Sequence, residues 1–157
     1  MKKIRIGLFA ALIIFVFIQF FRPVKNQSTK AAPDDISRLY AIPANVQTIL
    51  QSACYDCHSN NTRYPWYADM QPVAWFLADH IKEGKQALNF NEYGGYSLKR
   101  QWNKLKRMKE QITSGKMPLR SYTLLHADAR LTVAQQRLLT NWVDSTLSDN
   151  ASPRTTH

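Results

Sequence analysis

At 157 residues the chain has room for one ordinary domain and a short appendage. Its formal net charge of +10 raises nucleic-acid binding, but part of that charge lies in an amino-terminal targeting segment. The densest remainder, Lys99, Arg100, Lys104, Lys106, Arg107 and Lys109, reads as the solvated face of a helix or as a dock for an acidic partner or anionic lipid.

In chain order, Lys2, Lys3 and Arg5 precede a nearly continuous apolar run from Ile6 to Phe21, broken only by Gln19. This is the pattern of a targeting segment and not of a globular core. No small-residue cleavage pattern follows it, so residues 1–23 are read as an uncleaved signal anchor, a transmembrane helix. The basic amino terminus favours a cytoplasmic start, although Arg22, Lys25 and Lys30 weaken the asymmetry. The remainder is then expected in the periplasm of a bacterium, carried by a single-pass protein of the inner membrane. From Val24 to about Asp35 the sequence is polar, and residues 24–40 are assigned as a flexible tether.

Pro43 opens a helix whose apolar face is Val46, Ile49, Leu50 and Ala53. That helix leads into Cys54-Tyr55-Asp56-Cys57-His58, which contains both cysteines of the protein. In this C-x-x-C-H spacing two thiols can add to the vinyl groups of one haem, and the adjacent histidine then serves as the axial iron ligand. A thioredoxin-like pair lacks the expected βαβ setting and leaves the histidine unexplained. A zinc site lacks a second Cys/His pair.

Ser59 to Trp66 is a loop by composition. A backbone carbonyl near Pro65 is a candidate acceptor for the second ring nitrogen of His58, and Arg63, Tyr64 and Trp66 are candidates for a haem propionate, Arg63 by charge-assisted bonds. A second helix from about Pro72 would place Val73, Phe76, Leu77, His80 and Ile81 on its apolar face, with Gly84 ending or loosening it. A third helix carries Leu98, Trp102, Leu105, Met108 and Ile112 at helical spacing and stops at Gly115. Met117-Pro118 follows in a loop, where a thioether beside a proline is held off a helical surface. Met117 is the leading candidate for the iron face opposite His58; His80, His126 or an open position are the alternatives.

Thr132 and Gln135 form a capping box before a last helix with Leu138, Leu139, Trp142 and Val143 as its apolar face. No useful strand alternation appears, so residues 41–147 are expected to form an all-α domain with a frayed tail over 148–157.

Several runs together carry a resemblance: Cys54 to Asn60, Arg63-Tyr64-Pro65-Trp66-Tyr67, Leu88-Asn89-Phe90-Asn91, and Met117-Pro118 with Tyr122, His126 and Trp142. From about Ala41 to Leu147 the sequence resembles the bacterial haem-binding domain family of cytochrome c-like proteins. The resemblance implies one covalent haem c on a membrane-tethered periplasmic domain, with Cys54 and Cys57 as thioether positions and His58 as axial ligand. Leu119 departs from similar sequences, which often carry a second proline there.

Three uses follow for such a domain. An electron carrier would close the iron with His58 and Met117, need no catalytic acid or base, and pass electrons to a redox protein. A sensor or small-ligand binder would keep the opposite face open or displaceable. A peroxidase would need His80 or His126 as an acid/base group, but no distal histidine and arginine pairing supports it. The electron carrier, not an enzyme, is the expectation.

Overall fold

A computed structural model describes residues 2–151. Among these residues the chain is all-helical, with an isolated antiparallel bridge between Gln27 and Asn61 as its only β feature. The α-helices are α1 (Lys2–Ile18), α2 (Ile36–Leu39), α3 (Ala44–Ala53), α4 (Tyr55–His58), α5 (Val73–Ala87), α6 (Leu98–Thr113), α7 (Arg120–Leu125) and α8 (Val133–Ala151). Short 3-10 turns at Trp66–Asp69, Phe90–Gly95 and Ala127–Ala129 complete the path.

The core forms where the apolar stripes of α3, α6 and α8 meet. Val46, Ile49 and Leu50 of α3 pack with Leu105, Met108 and Ile112 of α6 and with Leu139, Trp142 and Val143 of α8. Each such side chain taken fully out of water contributes on the order of 1.5–3 kcal/mol. Phe90 and Tyr93, from the 3-10 turn between α5 and α6, are buried in the same core. The Tyr93 hydroxyl donates to Gln101 O at 2.6 Å, so the ring is buried without an unpaired oxygen. Leu98 and Leu138, assigned to apolar faces, are exposed instead.

The end of α6 and the start of α8 behave as their residues require. Gly115 has φ of 66°, Lys116 N–H donates to Gln111 O and Gly115 N–H to Ile112 O, a Schellman stop that glycine adopts without strain. This stop turns the chain out of α6 into Met117-Pro118. The capping box also forms, with Thr132 N–H donating to Gln135 Oε1 at 2.9 Å and Gln135 N–H to Thr132 Oγ1 at 3.2 Å.

Other expectations are corrected. The transmembrane helix over 1–23 is realised as a shorter apolar helix of 17 residues, and no helix among the described residues is long and apolar enough to cross a membrane. It stops because Gln19 and the following residues bond to the domain. The segment 24–40 does not hang free as a tether: Ile36 is fully buried, Asn26 N–H donates to the Tyr64 hydroxyl at 2.6 Å, and Gly94 N–H donates to Asp34 O. At the other end α8 continues through Ala151, so part of the expected tail is helical and residues 152–157 lie outside the described residues.

Gly84 does not end α5, which continues to Ala87. Its role is close approach, because a Cβ built there would lie 2.6 Å from the carbonyl oxygen of Cys57. That neighbour is backbone and cannot swing aside. Gly84→Ala is therefore expected to destabilise the fold by about 1–3 kcal/mol, since overpacking outweighs the gain of about 1 kcal/mol in helix propensity. Chemical denaturation of wild type and variant in the same detergent checks this.

Candidate functional site

The attachment motif is held where two helices meet. α3 ends at Ala53, Cys54 adopts a non-helical conformation as the junction, and α4 carries Tyr55 to His58. Backbone N–H groups of Cys57 and His58 both donate to Cys54 O, which closes the turn between the two cysteines. α4 then packs on α5 through the Gly84 contact.

A cavity of about 390 Å³ opens beside this turn. Cys54, His58 and Met117 all line it, together with apolar walls from Ala53, Leu88, Phe90, Met108, Ile112 and Leu131. A volume of this order and a mostly apolar lining with few polar groups are those of an ordinary cofactor pocket. Lys104 and Arg107 bring positive charge to the same cavity, and Glu110 brings one negative charge.

His58 Nδ1 lies 2.9 Å from Leu88 O. A carbonyl only accepts, so Nδ1 must carry the proton, and the neutral ring keeps the Nε2 lone pair for a metal. Burial pulls His58 below the usual imidazole value, against the opposing effect of its bond to Leu88, so the ring is neutral at pH 7. The acceptor is therefore Leu88, not a carbonyl near Pro65. Leu88 stands at the carboxyl cap of α5, where carbonyls lack helical partners.

The next residues explain why the Leu88 to Asn91 run matters. Asn89 Nδ2 donates to Asn60 Oδ1 at 2.8 Å, Asn60 N–H donates to Asn91 Oδ1 at 2.8 Å, and Asn91 Nδ2 donates to Asp35 Oδ2 at 2.6 Å. These bonds clamp the chain leaving His58. Phe90 stacks on Tyr55 at 5.0 Å and meets the His58 ring edge at 6.3 Å. The clamp was hidden in sequence because its partners lie about thirty residues apart and are ordinary loop amides by type.

Both thiols are held protonated. Burial first, then the neighbouring Cys57, pushes Cys54 up to about 12; burial first, then Asp56, pushes Cys57 up to about 11. A redox dithiol instead requires a lowered thiol pKa. Among the described residues no group of three or more His, Cys, Asp or Glu is arranged to hold a metal ion, so the donor set does not suit zinc. It suits haem: two thiols one turn apart, a neutral imidazole with Nε2 available, and a thioether in the same cavity.

Arg63 is not among the residues lining this cavity and is engaged by Asp56 instead. Its Nε donates to Asp56 Oδ1 and its NH2 group to Asp56 Oδ2, each at 3.1 Å, with Gln51 O as a further acceptor. Asp56, between the two cysteines, is buried and also receives the Tyr122 hydroxyl at 2.6 Å on Oδ2. Burial, followed by the hydrogen bond to Asp56, drives the Tyr122 phenol well above its usual value. Tyr122 sits on α7, directly after Met117-Pro118, so one carboxylate ties the attachment turn to the methionine loop.

Neither alternative histidine lines the cavity. His80 donates to Phe76 O and lies against the Phe76 ring, while His126 stacks on Tyr122 at 4.1 Å and lies 3.4 Å from the Tyr67 hydroxyl. The structure thus brings Cys54, His58 and Met117 together and leaves Arg63, His80 and His126 elsewhere. Cys57 stands on α4 against Gly84, one turn from Cys54.

Comparison with known proteins gives one match: the sequence model of a family described as a haem-binding domain covers residues 13–145. No curated protein and no solved structure matches.

The Tyr122 bond is a directly testable part of this site. Tyr122→Phe keeps the ring and removes one charge-assisted hydrogen bond, so unfolding stability is expected to fall by about 1.5–3 kcal/mol. Guanidinium titration measures the loss, and an unchanged midpoint would show that the bond contributes nothing.

Proposed function

Because the chain belongs to the haem-binding domain family, we propose that it is a membrane-anchored, periplasmic c-type cytochrome with one covalent haem, acting as an electron carrier and not as an enzyme. The observation that carries this reading is a single cavity lined by Cys54, His58 and Met117, with His58 Nδ1 already committed to Leu88 O. When bound, haem supplies an iron centre for one-electron transfer.

The chain's own residues account for the rest. Cys54 and Cys57 would hold the haem through two thioether bonds, each the net addition of one S–H to one vinyl group with no net oxidation. His58 offers Nε2 to iron, and its bond to Leu88 fixes the ring and raises its basicity. Met117, which lines the same cavity, would hold the iron through its thioether, and such ligation would raise the reduction potential and close the site to small ligands. Arg107, with Lys104 beside it, lines the cavity and would offer positive charge to the haem carboxylates. Arg100 and Lys106 continue that charge over the adjoining surface, which suits an acidic redox partner.

The basic amino terminus and apolar α1 support the anchor and its orientation. Covalent haem attachment between two cysteines fits an extracytoplasmic compartment, where exposed thiols tend to oxidise.

The electron-carrier reading predicts a thioether-to-iron charge-transfer band near the red edge of the visible spectrum in the ferric protein. Met117→Ala is expected to abolish that band and open the reduced protein to carbon monoxide, while haem stays covalently bound. A high-spin wild-type protein that binds carbon monoxide readily would favour the sensor reading instead.

A further inference from the structure

The apolar surface of this chain does not stop where α1 stops. Gln71 N–H donates to Gln19 Oε1 at 3.0 Å, and Gln19 Nε2 donates to Gln71 O at 3.3 Å. Phe21 O accepts from both Gln71 Nε2 at 2.7 Å and Trp75 Nε1 at 2.8 Å. Gln71 is only 1 % exposed, so its bonds are partly shielded from water, and together with the exposed Trp75 bond they fix the root of α1 against the start of α5.

Around this junction the domain exposes apolar side chains. Val73, Trp75 and Phe76 are 41 %, 42 % and 60 % exposed, and with Pro72 and the acidic Asp79 they line one shallow groove. Sequence periodicity assigned Val73 and Phe76 to the core face, but the buried positions of α5 are Ala74 and Ile81, which turns the larger residues outward. Phe20 and Phe21 add exposed rings on the α1 side.

We propose that α1 and this face of α5 enter the lipid bilayer together as one composite apolar surface, with α1 inserted and Val73, Trp75 and Phe76 seated at the interface. The proposal rests on the membrane-anchor part of the functional reading and deepens it. Length is the first reason: the 17 residues of α1 rise about 25 Å, against about 30 Å of hydrocarbon. The missing depth is supplied by Phe20, Phe21 and the adjoining domain face. Chemistry is the second reason. Trp75 satisfies its N–H on Phe21 O while half its surface stays open, the amphipathic arrangement that suits an indole at a membrane interface. Arg22 follows at the same level and suits lipid phosphates.

A second copy is the weaker occupant, because covering the groove alone would leave the all-round apolar α1 in water. Lipid covers both. Seating at two points also fixes the tilt of the domain, so the haem cavity faces membrane redox partners in one orientation.

The test uses the full, haem-loaded chain in nanodiscs of phosphatidylethanolamine and phosphatidylglycerol. A photoactivatable benzoylphenylalanine replaces Phe76, Leu12 or, as a control on the opposite charge-rich helix, Lys106; mass spectrometry then identifies the adducts. Lipid adducts are expected at positions 76 and 12, several-fold above position 106. Lipid at position 12 with none at 76, or cross-linked dimers at 76, overturns the composite surface and leaves the anchor standing. Absence of lipid at position 12 overturns both, whatever position 76 shows. The haem spectrum of each variant confirms that the fold is retained.

Discussion

The hydrogen bond from His58 Nδ1 to Leu88 O is the constraint on which the rest of the site depends. It selects the tautomer, leaves Nε2 without a proton and fixes the ring, which lines the cavity, against rotation. Its acceptor exists because α5 runs to Ala87 and leaves Leu88 at the cap. Its length depends on α4 and α5 lying close, which Gly84 permits by presenting no side chain to the Cys57 carbonyl. The Asn60, Asn89 and Asn91 bonds then hold the two loops that bring His58 and Leu88 together.

A second constraint joins the two walls of the cavity. Asp56 is buried between the cysteines, and a buried carboxylate must be paired or it would give up its charge. Arg63 pairs it from the attachment side and Tyr122 hydrogen-bonds to it from the helix after Met117. Arg63 is largely open to water, so its Coulomb attraction is screened and the shielded Tyr122 bond carries more of the coupling. The Arg63 to Tyr67 run takes part in this link, with Arg63 on Asp56 and the Tyr67 hydroxyl beside His126.

What the sequence made legible were features with local signatures. The C-x-x-C-H turn, the face Val46 to Ala53, the Gly115 stop and the Thr132 capping box each depend on residues within a few positions, and each appears as read. Met117 was legible for the same reason, as a thioether released from a helix by a glycine stop, and it lines the cavity. What stayed hidden depended on distant partners. Arg63 looked available for a propionate because nothing local shows that Asp56 is buried within its reach. The polar segment after Val24 looked free because Asn26, Asp34 and Asp35 find their partners across the fold. On α5, periodicity placed the large residues inward, whereas the close approach at Gly84 brings small Ala74 in and turns Phe76 out.

The central claim is that Cys54 and Cys57 carry one haem between them, next to an imidazole already oriented for iron. Intact mass spectrometry of the full chain, matured with a cytochrome c assembly system and then denatured, tests it most directly. The account predicts a mass increased by one haem, no thiol left to alkylate, and the added mass on the peptide spanning Cys54 to His58. A denatured chain of unmodified mass with two alkylatable thiols would contradict it.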